Sequence, residues 1–302
     1  MASSVINFAT IALGQIQQAY DEGNYLGDLQ GRLDGYAYDY KKGQKTWRYP
    51  YFTKRTPQNS ADSSASDLSP GSATETVVDI GCDTPLKLND YLTYDQINDY
   101  GGFIPAAWTA RFGRDMGEAR CNRIAAYVGA ISLAGGSTTK LVQALSADAD
   151  ALLGLSTLIA QYQADKIPLT GITVLVKPTS FQRLMRNASF ASTDYNQDGT
   201  KGKPGDRIYM GVRVRPCASV FGLDYNNTTL YPGTPTKYKA DFTNVWALAW
   251  QGDALQIVES ETMGENNGIV EVPEREGYLI RTRMEFGMGA LQTGALKCLV
   301  TS

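Results

Sequence analysis

Apolar residues recur at helical spacing over residues 5–20, where Val5, Phe8, Ala12, Ile16 and Ala19 share a face and Gly23 supplies a stop. The pattern predicts a short amphipathic helix. Residues 24–45 hold no sustained period and are rich in Gly, Asp and Tyr, which predicts an extended arm that needs another surface to lie on. Residues 46–54 and 75–81 read as two strands joined by the polar stretch TPQNSADSSASDLSPGSAT, a long hairpin. An isolated two-stranded hairpin is marginal in water, so a neighbouring subunit is expected to shelter it.

The longest helical stretch covers residues 103–134. Trp108, Phe112, Met116 and Ala119 make one stripe, and Ile124, Tyr127, Val128 and Ile131 make a second that has slid round the helix. That drift suits a long, gently curved helix lying across a sheet, with Gly113 and Gly117 allowing close approach there and Gly135-Gly136 ending it. A second helix is expected to begin near Ser146 as its cap, with Asp148 and Asp150 in the first turns and Leu152, Leu155, Ile159 and Tyr162 buried. The almost wholly apolar strand from Ile172 to Pro178 and a short helix from Ser180 to about Asn187 complete a helix, strand, helix unit.

Residues 188–206 and 222–241 read as polar loops, and 207–221, 242–250, 254–260 and 295–300 as strands. Between them, Tyr278, Ile280, Thr282, Met284 and Phe286 alternate with Arg281, Arg283 and Glu285 over a long half-buried strand. No internal repeat is present.

Composition narrows the chemistry. With 43% hydrophobic and 20% charged residues, the 302-residue chain can bury a sizeable core. A net charge of -3 gives no global attraction to nucleic acid. The absence of histidine excludes Ser-His-Asp and Cys-His catalysis and removes the commonest metal ligand. Cys82, Cys121, Cys217 and Cys298 form no C-x-x-C pair and read as reduced, buried apolar residues. No signal-peptide pattern and no apolar run of about 20 residues occurs, so the protein is expected to be made and used in the cytoplasm.

The order, lengths and spacing of these elements resemble the Hong Kong 97-type major capsid fold of tailed bacteriophages. The likeness rests on the run ALLGLSTLIAQYQADKIPLTGITVLVKPTSFQRLM, on IYMGVRV, on WALAWQGDALQIVESE and on the ending GYLIRTRMEFGMGALQTGALKCLV. The resemblance implies an α+β chain with an N-terminal arm at 1–45, an extended hairpin loop at 46–81 and a peripheral domain with its spine helix at 82–140. An axial domain at 141–250 would follow, then strands of residues 251–302 returning through the peripheral to the axial domain.

It further implies a shell subunit forming hexamers and pentamers around double-stranded DNA, with no catalytic site and no cofactor. Its partners would be further copies, a separate scaffolding protein, a portal and a decoration protein, assembled in the host cytoplasm into a virion capsid.

Lys41, Lys42, Lys45, Arg48, Lys54 and Arg55 stand among Trp47, Tyr49, Tyr51 and Phe52, a mix able to bind single-stranded nucleic acid. Acids oppose it, from Asp62 to Asp99 in the next stretch and from Glu259 to Glu276 later. Intersubunit contact through matched charge is the favoured expectation for the basic residues. Asp194, Asn196 and Asp198 match the first half of a calcium loop, but Gly205 stands where the bidentate Glu belongs, which leaves a hydrated loop as the simpler reading.

Gly287, Gly289 and Gly294 are mis-spaced for a dinucleotide site and read as a strand-turn feature. Glu259 and Glu261 imitate a glycosidase dyad without a sugar platform, which keeps a carbohydrate-active enzyme only as an alternative, beside a non-shell nucleic-acid binder. Lys54 could enter the lysine-asparagine link that some members of the resembled family form, although no partner can be matched.

Overall fold

Three largely apolar runs are buried at every position: Ile172–Val176, Val245–Gln251 and Leu296–Val300. A strand buried on both faces must lie within a sheet and under packed helices, and that requirement sets the architecture. The computed structural model describes residues 2–26, 32–33, 46–52, 75–82, 85–99, 106–191, 206–231, 233–261 and 268–302.

In chain order the elements are α1 (Ala2–Gly23), β1 (Arg32–Leu33), β2 (Thr46–Phe52), β3 (Glu75–Gly81), β4 (Leu86–Thr93), α2 (Tyr94–Asp99), α3 (Ala106–Ala134) and β5 (Lys140–Val142). Then come α4 (Asp148–Ala164), β6 (Ile172–Val176), α5 (Pro178–Met185), α6 (Ala188–Ala191), β7 (Arg207–Tyr209) and β8 (Val212–Pro216). The last five are β9 (Val245–Gln251), β10 (Leu255–Glu261), β11 (Gly268–Val272), β12 (Gly277–Ala290) and β13 (Leu296–Val300).

One sheet has the order β5-β13-β9-β6-β8-β7, with β9 antiparallel to both of its neighbours. The second is built on β12, whose 14 residues pair with β10 along the later half and with β4 and β11 on the earlier half. β1 adds a short parallel pairing to β10. β9 leads out of the first sheet into β10, and β12 leads back into it as β13. β2 and β3 form a separate antiparallel pair.

The 29-residue α3, about 44 Å long at 1.5 Å per residue, touches both sheets. Tyr127 of α3 accepts a hydrogen bond from the Ala290 N–H of β12 at 3.0 Å, and Gly129 lies under the Phe242 ring beside β9.

Several expectations need correction. Gly113 and Gly117 do bring α3 close to something, but the partner is α1 and not a sheet: a Cβ on either would overlap the backbone of Ile16 or Tyr20. The first helix therefore has a home on its own molecule, with Ala12, Ile16, Ala19 and Tyr20 buried. The start of the following segment is held too, since Leu26 is fully buried.

Ser146 does not cap α4. Ala147 holds that position, and its N–H donates to the Asp150 carboxylate at 2.7 Å. Residues 207–221 contain a hairpin rather than one strand, because Met210 and Gly211 both take positive φ (51° and 82°), the turn that matches strand twist. Gly287 and Gly289 lie inside β12, where the base of the β2-β3 hairpin crosses them at Gly81 and Ile80. The strand-turn reading missed that crossing.

Gly113→Leu should lower stability by about 1–3 kcal/mol, as overpacking does, and raise amide exchange over residues 12–26. Gly14→Ala, which meets open space in the same helix pair, should raise stability by about 0.4–1 kcal/mol. Denaturant midpoints and exchange rates check both.

Candidate assembly surfaces

Of the basic residues singled out by sequence, Arg48 lies on β2, in register with Asp79 of β3. Lys41, Lys42, Lys45, Lys54 and Arg55 lie outside the described residues, as do Asp194, Asn196 and Asp198 of the candidate cation loop. The acidic blocks are better defined. β4 and β11 lie on opposite edges of β12, so the end of the first block and the end of the second meet at one end of the sheet.

There Tyr94 donates to the Glu271 carboxylate at 2.5 Å, and the Tyr94 N–H donates to the Glu276 carbonyl at 2.8 Å. Tyr91 donates to the Arg275 carbonyl. The Tyr94 and Tyr278 rings meet edge to face at 5.6 Å. The hydrogen bond to Glu271 pushes the Tyr94 hydroxyl up to about 12. Asp90, Asp95, Glu271, Glu274 and Glu276 are all exposed on this end, with Arg275 as the nearby base.

Three buried ion pairs that sequence reading missed fix the body behind this surface. The Arg215 guanidinium grips Asp206 through two bonds of 2.5 Å, with side-chain exposures of 6% and 7%. Its remaining nitrogen donates to the Tyr25 and Leu26 carbonyls at 2.6 and 3.2 Å, which ties the segment after α1 to β8. Tyr25 also donates to Asn122 and Cys121 to Asn24, both at 2.9 Å.

Lys297, wholly buried in β13, donates to Asp165 at 2.5 Å and to the Thr138 carbonyl at 2.8 Å. Arg120 of α3 pairs with Glu259 of β10. Glu259 is therefore committed to a cation, and a register shift separates it from Glu261, so the two-apart spacing no longer guarantees a shared face.

All four cysteines are free thiols, with Cys121, Cys217 and Cys298 buried and Cys82 half-buried. Burial pushes the Cys121 and Cys298 thiols up to about 11. Among the described residues no helix is long and apolar enough to cross a membrane.

No protein-family model matches the chain, and no curated protein matches it. Solved structures do. The capsid of cyanophage P-SCSP1u superposes with a TM-score of 0.65 at 13% identity, over 90% of this chain and 86% of that one. The mature capsid of bacteriophage PhiM1 gives 0.59 at 13% identity, over 89% of each chain. A virus-like particle from Pyrococcus furiosus gives 0.55 at 12% identity, over 97% of this chain and 99% of that one. This chain has the phage capsid fold. The α+β architecture expected from the order of elements is borne out at that level, and the capsid fold here runs nearly end to end.

Arg215→Met should cost about 3–5 kcal/mol, because it leaves the Asp206 carboxylate buried without a partner. Amide exchange should rise at residues 19–26 well before it rises in β9. Urea titration and exchange mass spectrometry read the two effects.

Proposed function

We propose that this chain is a major capsid protein that assembles into hexamers and pentamers of an icosahedral shell around double-stranded DNA, within a phage virion. The observation that carries the reading is the likeness of nearly the whole chain to phage capsid structures. A separate scaffolding protein, a portal and a decoration protein are its further partners, and assembly takes place in the host cytoplasm. The role is structural and not enzymatic; the commitment of Glu259 to Arg120 weakens the carboxylate-dyad alternative.

Lys41, Lys42, Lys45, Arg48, Lys54 and Arg55 act as intersubunit contacts. Their acceptor on the neighbouring copy is the acidic end of the β4-β12-β11 sheet, where carboxylates from two distant stretches gather. Opposed charge patches on identical subunits select one docking register and speed encounter more than they add affinity. Binding of a cation at Asp194, Asn196 and Asp198 remains a simple titration to perform with calcium.

Size-exclusion chromatography and negative-stain microscopy of the purified chain, with and without scaffold and over a range of salt, test the shell reading. Closed particles are the expected outcome, and small discrete oligomers under every condition would overturn it. Reversing Lys54 and Arg55 to Glu should impair particle yield while leaving the melting temperature within a few degrees. Normal particles from that variant would refute the charge-matching contact.

A further inference from the structure

Glu118 differs from Asp115, the other acid of α3. Arg111 pairs with Asp115, Arg114 with Glu22 and Arg120 with Glu259, but Glu118 is half-buried and makes no ion pair among the described residues. A carboxylate withdrawn from water without a partner is costly. This one lines a cleft of about 470 Å³ between α3, Leu86 at the start of β4, and the segment 219–238.

The cleft has a consistent chemistry. Ala119 and Ala126 keep the α3 side open, and the facing wall carries Tyr225 and Tyr231, whose ring centroids lie 4.7 Å apart. Burial pushes the Tyr225 hydroxyl well above its ordinary value, and Glu118 is near enough to add to the rise. Arg123 lines the cleft and Lys237 stands beside its Tyr238, and both lie over aromatic rings. The Arg123 guanidinium lies over the Tyr238 and Phe286 rings at 5.4 and 5.7 Å, and the Lys237 ammonium lies over Tyr238 at 5.3 Å. Tyr238, which also lines the cleft, therefore already attracts cations, while Glu118 has no ion-pair partner among the described residues.

We propose that the cleft binds an organic cation, a guanidinium or alkylammonium group on a short apolar stem, with Glu118 as counter-ion and the Tyr225 and Tyr231 rings as its wall. Ring faces attract such groups, most strongly where water is displaced, and the volume suits a small organic group. The same chemistry comes from a free diamine or from an arginine or lysine side chain of a second copy. The second source rests on the shell-subunit reading; the binding chemistry does not.

The test titrates ethylguanidinium, and separately the neutral isostere ethylurea, onto unassembled full-length protein while following ¹³C-labelled tyrosine resonances. Ethylguanidinium should give a saturable shift of Tyr225 and Tyr231 that ethylurea does not. Glu118→Gln should weaken binding roughly tenfold or more. Ala119→Leu, which fills the slot without altering charge, should weaken it as well, and it serves if the first variant folds poorly.

Equal responses to the two probes, or undiminished binding in both variants, would overturn the proposal. Repeating the titration on assembled particles identifies the source: loss of binding there means that a neighbour's side chain occupies the cleft, and retained binding means a free cation. Because the first arm uses unassembled subunits, failure to form shells and failure to bind the cation are separate results.

Discussion

The spine helix α3 must pack against three different surfaces along its length, and the rest of the molecule is arranged by how its residues meet them. Its first turns approach α1 backbone to backbone, which only glycine at positions 113 and 117 permits. Its middle sends Arg120 to Glu259 of β10 and Tyr127 to Ala290 of β12. Its last turns lie on β9 and β13, where Gly129 makes room for Phe242. A helix so constrained cannot turn about its axis without breaking one contact set, so it holds the two sheets in one relation.

The buried ion pairs act on the same geometry. Desolvating a guanidinium and a carboxylate together is close to neutral in free energy, whereas losing one member is severe. Arg215 is therefore better understood as a constraint than as a source of stability. Its fork to Asp206 leaves one nitrogen for the Tyr25 and Leu26 carbonyls, which fixes where the chain leaves α1. Lys297 does the same between β13, the loop at Thr138 and the end of α4.

How much was legible in the sequence follows from these roles. The runs ITVLV, VWALAWQ and LKCLV were readable because strands buried on both faces are almost continuously apolar. α3 was readable from its drifting stripe. β4 was not, because Asn89-Asp90 in its middle reads as a turn, and only pairing with β12 makes LKLNDYLT a strand. β11 was hidden in the same way among glutamates. The partner of Gly113 and Gly117 was misread because spacing reports that a backbone comes close, without saying which one. Arg215 gave a faint signal, since the alternation VRVRP puts Arg213 and Arg215 on one face, but nothing local announced Asp206 or the Tyr25 carbonyl as partners.

α1 lies against its own molecule, so in the proposed shell it would not be the segment that needs a neighbour, and that narrows the basis for the proposed association. Beside the separate β2-β3 hairpin, what remains is the proposed charge contact between an acidic sheet end assembled from positions near 90 and near 275 and the basic stretch at 41–55. Exposed pairs of this kind contribute about 0–1 kcal/mol each and weaken as salt rises. A closed shell built from such contacts, as proposed, would gain its persistence from their number, because every subunit would be held at several sites at once. A subunit docked in the wrong register engages fewer of them and dissociates, so weak matched charges select the correct neighbour more reliably than a single strong apolar patch would.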